Sequence, residues 1–138
     1  MRLVLLSDKF FRMYGNCKEV LQKPKRPYVY LEILIDGVHY AVPFRHHITH
    51  KHAFLTGDKC GIDYTKAVVI HDLQFIDSAV PQINQAEYNT IKGKDKLIAN
   101  GMKKFVGVYK KAREYKDKPQ YANIIRCSSL QYFDDYVK

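Results

Sequence analysis

The chain has no tryptophan and only three cysteines. Cys17, Cys60 and Cys127 lie far apart, and no two of them form a CxxC pair. An odd number of widely spaced cysteines indicates a reduced, cytosolic protein without a disulfide framework. No apolar run approaches the length of a membrane span, and Asp8 and Lys9 interrupt the start MRLVLLSDKFF too early for a signal peptide. We therefore expect a cytoplasmic protein with no membrane partner.

Acidic residues are also scarce. The sequence has 14 Asp and Glu against 23 Lys and Arg, which gives a formal net charge of +9 and a pI near 9.4. A small domain this basic most often binds a polyanion, although a basic protein without any nucleic-acid role is the alternative. Because 46% of the 138 residues are hydrophobic, the chain can bury a real core, and we expect one domain spanning residues 1–138.

The clearest local signal is the segment YVYLEILIDGVHYAVPF. Asp36-Gly37 between two apolar runs predicts a two-residue β-hairpin turn. Counting outward from this turn places Ile35 opposite Val38 and Val29 opposite Phe44. One face of the hairpin would then carry Val29, Leu31, Ile33, Ile35, Val38, Tyr40, Val42 and Phe44, which predicts the core face. The open end of the hairpin would gather Arg26, Tyr28, Arg45, His46 and His47.

The rest of the chain mixes strand and helix signals. Strands are predicted at Arg2–Leu6, Ala67–His71 and Leu73–Ile76. Helices are predicted at Asp8–Tyr14 behind a Ser7 N-cap, at Asn84–Ile91, and over a long apolar stripe from Leu97 to Ala112 that Pro119 stops. Ser128 and Gln131 resemble a capping box for a last short helix. The expected class is α+β, with a twisted antiparallel sheet and flanking helices.

Four of the six histidines fall in the segment FRHHITHKHAF. A metal site formed by His46, His47, His50 and His52 is one interpretation, but Arg45 and Lys51 would repel a cation. The metal-free alternative is an acid/base centre, because imidazole titrates near neutrality and arginine binds phosphate as a fork. RNA cleavage needs a base for the ribose 2′-hydroxyl, an acid for the leaving 5′-oxygen and cations for the phosphorane. In this interpretation Tyr28 would stack on a base or donate a hydrogen bond.

A second basic region lies between Lys92 and Lys118, where ten lysines and arginines face only three acidic residues. Its bias fits contact with RNA phosphates, although an ordinary solvated helix face would look similar. The RNA-contact candidates, with Tyr28, are Lys51, His52, Lys92, Lys94, Lys103, Lys104, Lys110 and Lys111.

The run RPYVYLEILIDGVHYAVPF resembles the toxins of type III toxin–antitoxin systems, the ToxN/AbiQ superfamily. The shared pattern is a basic residue (Arg26), a short aromatic and β-branched strand, a Glu-hydrophobic-x-Gly turn, and Tyr-x-x-Pro at Tyr40 and Pro43. IDYTKAVVI resembles the second core stretch of the family. FRHHITHKHAF and SSLQYF resemble the TenpN branch, and the resemblance covers most of the chain.

The resemblance implies a fold similar to the MazF/Kid toxins and an endoribonuclease that uses no metal or other cofactor. It also implies cellular or phage RNA as substrate, a role in plasmid maintenance or phage defence by abortive infection, and inhibition by a small repeated pseudoknot RNA, often in a closed protein–RNA hetero-oligomer. Where ToxN-like members have Thr-Ser-Pro-Lys, this chain has Arg45, His46, His47 and Ile48.

On this carry-over His46 is the general base or a proton shuttle, and Arg26 and Arg45 stabilise the phosphorane. His47, His50 or His52 is the acid, and Lys66 replaces the missing lysine. Two alternatives remain open: a non-catalytic RNA-binding module, and a metal-dependent nuclease or phosphoesterase that uses the histidines between His46 and His52.

Overall fold

A computed structural model describes all 138 residues, Met1–Lys138. It has an α+β fold with six strands and four α-helices. The strands are β1 (Arg2–Val4), β2 (Tyr28–Tyr30), β3 (Tyr40–Arg45), β4 (Ala53–Gly57), β5 (Cys60–Asp63) and β6 (Val68–Val69). The helices are α1 (Asp8–Tyr14), α2 (Gln85–Ile91), α3 (Asp95–Glu114) and α4 (Pro119–Cys127), and short 3₁₀ helices occupy Tyr64–Lys66, Leu73–Phe75 and Ser129–Phe133.

All strands pair antiparallel, and β3 is the centre of the sheet. The strand order is β1-β2-β3-β5-β4, and β6 pairs with β3 as well. The first residues of β3, Tyr40 and Ala41, pair with β6, whereas its last residues, Phe44 and Arg45, pair with β5. The chain therefore passes from β5 to β6 along the same edge of β3, and the end of β3 lies beside β5.

The hairpin turn is confirmed, but the predicted register is wrong beyond it. Asp36 and Gly37 have positive φ, as a two-residue turn of this type requires, and Ile35 pairs with Val38. Farther out, Val29 pairs with Val42 and not with Phe44. The Leu31 amide donates to the Tyr40 carbonyl, and Ile35 pairs with Val38. The three residues 32–34 therefore stand opposite the single residue His39 and form a bulge. Ile33, predicted in the core, is exposed.

The prediction that only one face of the hairpin packs into the core is also wrong, because both faces of β2 and β3 are buried. Tyr28 is as inaccessible as Val29, Tyr30 is buried as well, and Ala41 is as inaccessible as Val42. Helix α3 covers part of the sheet with the predicted apolar stripe. Its buried residues are Ile98, Ala99, Met102, Phe105, Val106, Tyr109 and Ala112. This double burial removes Tyr28 from the surface.

Several local predictions are confirmed. Ser7 caps α1 as predicted, by accepting from the Phe10 amide. The helix predicted at Asn84–Ile91 is present as α2, and Asn84, whose capping role was not predicted, accepts from the Glu87 amide. The strand predicted at Leu73–Ile76 is wrong, because Asp72 accepts from the Gln74 amide and starts a 3₁₀ turn. The last helix exists as a 3₁₀ helix, in which Ser128 accepts from Leu130. Pro119 begins α4, whereas α3 has already ended at Glu114.

None of the helices combines the length and the apolar character that crossing a bilayer would require.

Candidate active site

The site is built around one buried carboxylate, that of Asp63 at the end of β5. Arg45 Nη1 lies 2.8 Å from Asp63 Oδ2, and His50 Nε2 lies 3.1 Å from Oδ1. The amide and the hydroxyl of Thr65 donate to the same Oδ1 at 2.9 and 2.6 Å. Because Asp63 is fully inaccessible to solvent, these partners replace the water that a carboxylate needs. Asp63 thereby fixes Arg45 and His50 in place.

Both ring nitrogens of His50 are occupied. Its Nδ1 accepts from the His52 amide at 3.0 Å, so Nε2 carries the proton. This Nε2 lies 3.1 Å from Asp63 Oδ1 and forms a long hydrogen bond of 3.5 Å to the Thr65 hydroxyl oxygen. The imidazole is therefore held as one tautomer between the loop and the sheet. This makes His50 a positioning residue in the observed arrangement.

His52 differs, since its imidazole makes no hydrogen bond and is half-buried. The ring lies 5.3 Å from the Phe105 ring and 6.0 Å from the His50 ring, measured between centroids. Burial, followed by the nearby His50 and Lys51, lowers the pKa of His52 below its ordinary value of 6.5. At neutral pH the ring is an uncharged, unengaged base.

His50 and His52 face a cleft of about 400 Å³, which we call the histidine cleft. It lies between the end of β3, the loop before β4 and helices α3 and α4. Its lining residues are Arg45, His50, His52, Thr65, Lys66, Phe105, Asn123, Ile124 and Cys127. Arg45 comes from the end of β3, the two histidines from the loop before β4, and Thr65 and Lys66 from the 3₁₀ turn after β5. Helix α3 contributes Phe105, and α4 contributes Asn123, Ile124 and Cys127.

Lys66 borders this cleft but is already engaged. Its Nζ donates to Glu19 Oε2 at 2.9 Å and to the Cys127 carbonyl at 2.7 Å. The lysine side chain is only 13% exposed. Its charge is therefore balanced by Glu19, and it ties the C-terminal end of α4 to the sheet.

A second cleft, of about 340 Å³, brings together Arg26, Arg45 and His46 as the sequence predicted. We call it the arginine cleft. Its lining residues are Lys23, Lys25, Arg26, Pro27, Phe44, Arg45, His46, Gln82, Ile83, Asn84 and Glu87. Arg45 is the one residue that lines both clefts.

Within the arginine cleft, Arg26 Nη1 donates to the Phe44 carbonyl at 2.8 Å. Burial, and then the neighbouring Arg45, lower the pKa of Arg26, yet the group stays charged at any ordinary pH. His46 is exposed, and its Nδ1 lies 3.1 Å from Cys60 Sγ, which leaves Nε2 free. The cleft thus presents two arginines and one imidazole nitrogen to solvent.

Two candidates from the sequence are placed elsewhere. Tyr28 cannot stack on a base, because it is fully buried and burial raises the pKa of its hydroxyl. The prediction for Tyr28 is wrong because both faces of β2 are buried. His47 is exposed and has positive φ at the turn after β3, and its side chain forms no hydrogen bond or ion pair.

The lysines of α3 are divided between two rows on either side of its buried stripe. Lys104 and Lys51 line a third cleft of about 300 Å³, which His52 also borders. Lys110 pairs with Asp36 at 2.9 Å, and Lys111 lies over the Tyr121 ring. Lys103 is exposed beside Asp36, Lys94 precedes the first turn of α3, and Lys92 is exposed after α2. Of these, Lys51 and Lys104 lie next to the histidine cleft.

No three side chains of His, Cys, Asp or Glu converge at metal-binding distances. The histidine segment splits instead, with His46 beside Cys60 and His50 beside Asp63.

The sequence analysis missed Asp63, Phe105 and Asn123. The pattern Asp63-Tyr64-Thr65 carries a usable signal, because an Asp two residues before a Thr often caps a turn by accepting from its amide. Nothing in the sequence alone pairs Asp63 with Arg45, since their contact depends on the register of β3 and β5. The approach of α4 to the sheet likewise depends on packing between distant segments, which the local sequence does not predict.

Comparison of the chain with protein-family models, with characterised proteins and with solved structures gave no significant match.

Proposed function

We propose that this protein is a metal-independent endoribonuclease whose active site is the histidine cleft. The observation that carries the proposal is the unengaged, neutral imidazole of His52 in the same cleft as the cation of Arg45, which Asp63 fixes. A base and a phosphate-binding cation in one cleft are the two groups that cleavage through the 2′-hydroxyl requires. The net charge of +9 supports RNA as the polyanion.

In the proposed reaction His52 removes the proton from a ribose 2′-hydroxyl. The 2′-oxygen attacks the adjacent phosphorus, and Arg45 stabilises the charge of the phosphorane. The bond from phosphorus to the 5′-oxygen then breaks. The products are a 2′,3′-cyclic phosphate and a 5′-hydroxyl end, and no water is consumed.

The leaving 5′-oxygen needs a proton, and His46 is our candidate for its donor. The attacking and leaving oxygens stand on opposite sides of phosphorus, so base and acid must approach from two sides. Arg45 borders both clefts, with His52 in one and His46 in the other. From the sequence, His46 is predicted as the general base or a proton shuttle, and His52 is one of three candidates for the acid. The free ring and lowered pKa of His52 favour the opposite assignment, with His52 as the base and His46 as the acid.

The biological setting rests on the resemblance to type III toxins. We propose that the ribonuclease acts on cellular or phage RNA as a toxin of the ToxN/AbiQ type, with a MazF/Kid-like fold. A repeated pseudoknot RNA would bind its basic surface as the antitoxin, with formation of a protein–RNA assembly. Lys51 and Lys104 beside His52 support such an interface, because phosphates there would cover the cleft.

The decisive experiment is cleavage of a mixed-sequence RNA in EDTA, with analysis of the new 3′ ends. We expect the wild type to leave 2′,3′-cyclic phosphates, and His52→Gln to cut about 100-fold more slowly or worse, as is usual for loss of a general base. His39→Gln is the control, because His39 lies outside all three clefts.

Three other results would contradict the proposal. Loss of cleavage in EDTA with recovery on adding Zn²⁺ or Mn²⁺ would indicate a metal-dependent nuclease. Salt-sensitive RNA binding without any cleavage would indicate a non-catalytic module. Full activity of His52→Gln would remove His52 from the mechanism.

A further inference from the structure

We infer that the histidine cleft also contains a nucleobase subsite, formed by Phe105, Ile124 and Asn123, and that Asn123 gives the cleavage its base preference. This inference rests on the proposed function, and it names the part of the RNA that the apolar half of the same cleft receives.

The two halves of the cleft differ in chemistry. Arg45, His50 and His52 form one half, whereas the other half is walled by Phe105 on α3 and Ile124 on α4. A phosphate and a ribose match the first half, and an aromatic base matches the second. The volume of about 400 Å³ lies in the range of small-ligand sites and is too small for a duplex.

Helix α4 leaves its apolar side partly uncovered. None of its nine residues is fully buried, although its apolar residues lie on one side. Ile124 remains half-buried at the cleft while Phe105, which is almost fully buried, forms the floor. An apolar wall that the protein itself does not cover, beside a phosphate-binding arginine, is suited to a base that has been splayed out of a single strand.

Asn123 supplies a directed polar group on this wall. It is exposed, and its Oδ1 accepts from Arg126 Nη2 and lies 3.9 Å from Cys127 Sγ. The carbonyl side of the amide is thus engaged within α4, which leaves the Nδ2 hydrogens free to donate to an acceptor on a base edge. Single-stranded RNA is read by hydrogen bonds of this kind together with stacking.

The test is the distribution of cut sites on a randomised RNA for the wild type, for Asn123→Ala and for Gln120→Ala as control. Gln120 is exposed on the same helix and lies outside the cleft. We expect Asn123→Ala to weaken the preference at the favoured position by about 10-fold, the usual effect of one lost hydrogen bond to a ligand. The control should keep the wild-type distribution. An unchanged distribution for Asn123→Ala would overturn the inference.

A binding measurement separates this inference from the proposed function. Titration of the four nucleoside 3′-monophosphates, and of ribose 5-phosphate, is followed by NMR at the backbone amides of α4, which the wild type and Asn123→Ala share. Base-dependent affinities that Asn123→Ala levels would support the subsite even if the protein cuts no RNA. Equal affinities for all five ligands would indicate a phosphate site only and would overturn the subsite, although cleavage at His52 could still stand.

Discussion

Asp63 is the residue on which the proposed site depends most. Its carboxylate is fully buried. Arg45 pairs with one carboxylate oxygen, whereas His50 and Thr65 contact the other. Burial of a charge is unfavourable unless it is paired and hydrogen-bonded, so this group stabilises the fold only while its partners are present. Arg45, which contacts the RNA phosphate in the proposal, is therefore held by a group that RNA does not touch.

Replacement of Asp63 by Asn should lower the free energy of unfolding by about 3 kcal/mol, because half-buried Arg45 would lose its counter-charge. Urea unfolding measures the loss, and Asp58→Asn in the exposed turn after β4 is the control. Arg45→Gln combined with Asp63→Asn should be less destabilising than the sum of the two single variants. Additive losses would show that the two side chains do not interact.

The pKa of His52 sets the expected pH dependence of cleavage. A general base must be unprotonated, so the rate falls as the pH falls through its pKa. Because burial lowers that pKa, the acid limb of kcat/KM should be centred below pH 6.5, the ordinary pKa of an imidazole. A pH–rate profile between pH 4.5 and 8 checks this, and the acid limb should be absent from the residual activity of His52→Gln. A limb centred above pH 6.5 would assign the base to another group.

At the scale of elements, α3 is positioned by a close approach at Gly101. A Cβ atom there would lie 2.2 Å from Tyr64 Oη, and this hydroxyl donates to the Ile98 carbonyl at 2.9 Å. Only glycine lets the helix come this near to the 3₁₀ turn that follows Asp63. The same contact brings Phe105, one turn farther along α3, against His52. The element that carries the floor of the cleft is thus placed by the absence of a side chain.

The two glycines of α3 should respond oppositely to alanine. Gly101→Ala should lower the free energy of unfolding by about 1–3 kcal/mol, as overpacking of a tight contact does. Gly107→Ala meets no atom within 4 Å, so it should raise that free energy by up to about 1 kcal/mol through helix propensity. Thermal and urea unfolding of both variants test the pair. A stabilised Gly101→Ala would mean that Tyr64 moves away without loss.

For the whole molecule, the sequence predicted what depends on local chemistry. The Asp36-Gly37 turn, the Ser7 cap, the helix α2 and the stripe of α3 all follow from short-range patterns, and all are present. The meeting of Arg26, Arg45 and His46 was also predicted, because a two-residue shift in register keeps residues on the same face. The bulge at residues 32–34 cannot be predicted by counting residues outward from the turn.

The remaining parts of the site depend on contacts between distant segments. Tyr28 was misjudged because alternation along a strand does not reveal that both faces are covered. Asp63 and Arg45 meet across β3 and β5, and Asn123 reaches the cleft only through the packing of α4 against α3. A histidine-rich segment shows that acid/base chemistry is available, but its burial and bonding decide which imidazole stays free.

The position of Arg45 between two clefts has a practical consequence for anyone preparing the protein. If it is toxic to the producing cell, an inert copy is needed for binding work, and an arginine that faces the substrate is the first choice for replacement. Here that choice would leave the buried charge of Asp63 without its arginine partner and would yield a less stable protein. The unengaged ring of His52 offers the safer route, because silencing it breaks no hydrogen bond of the native structure.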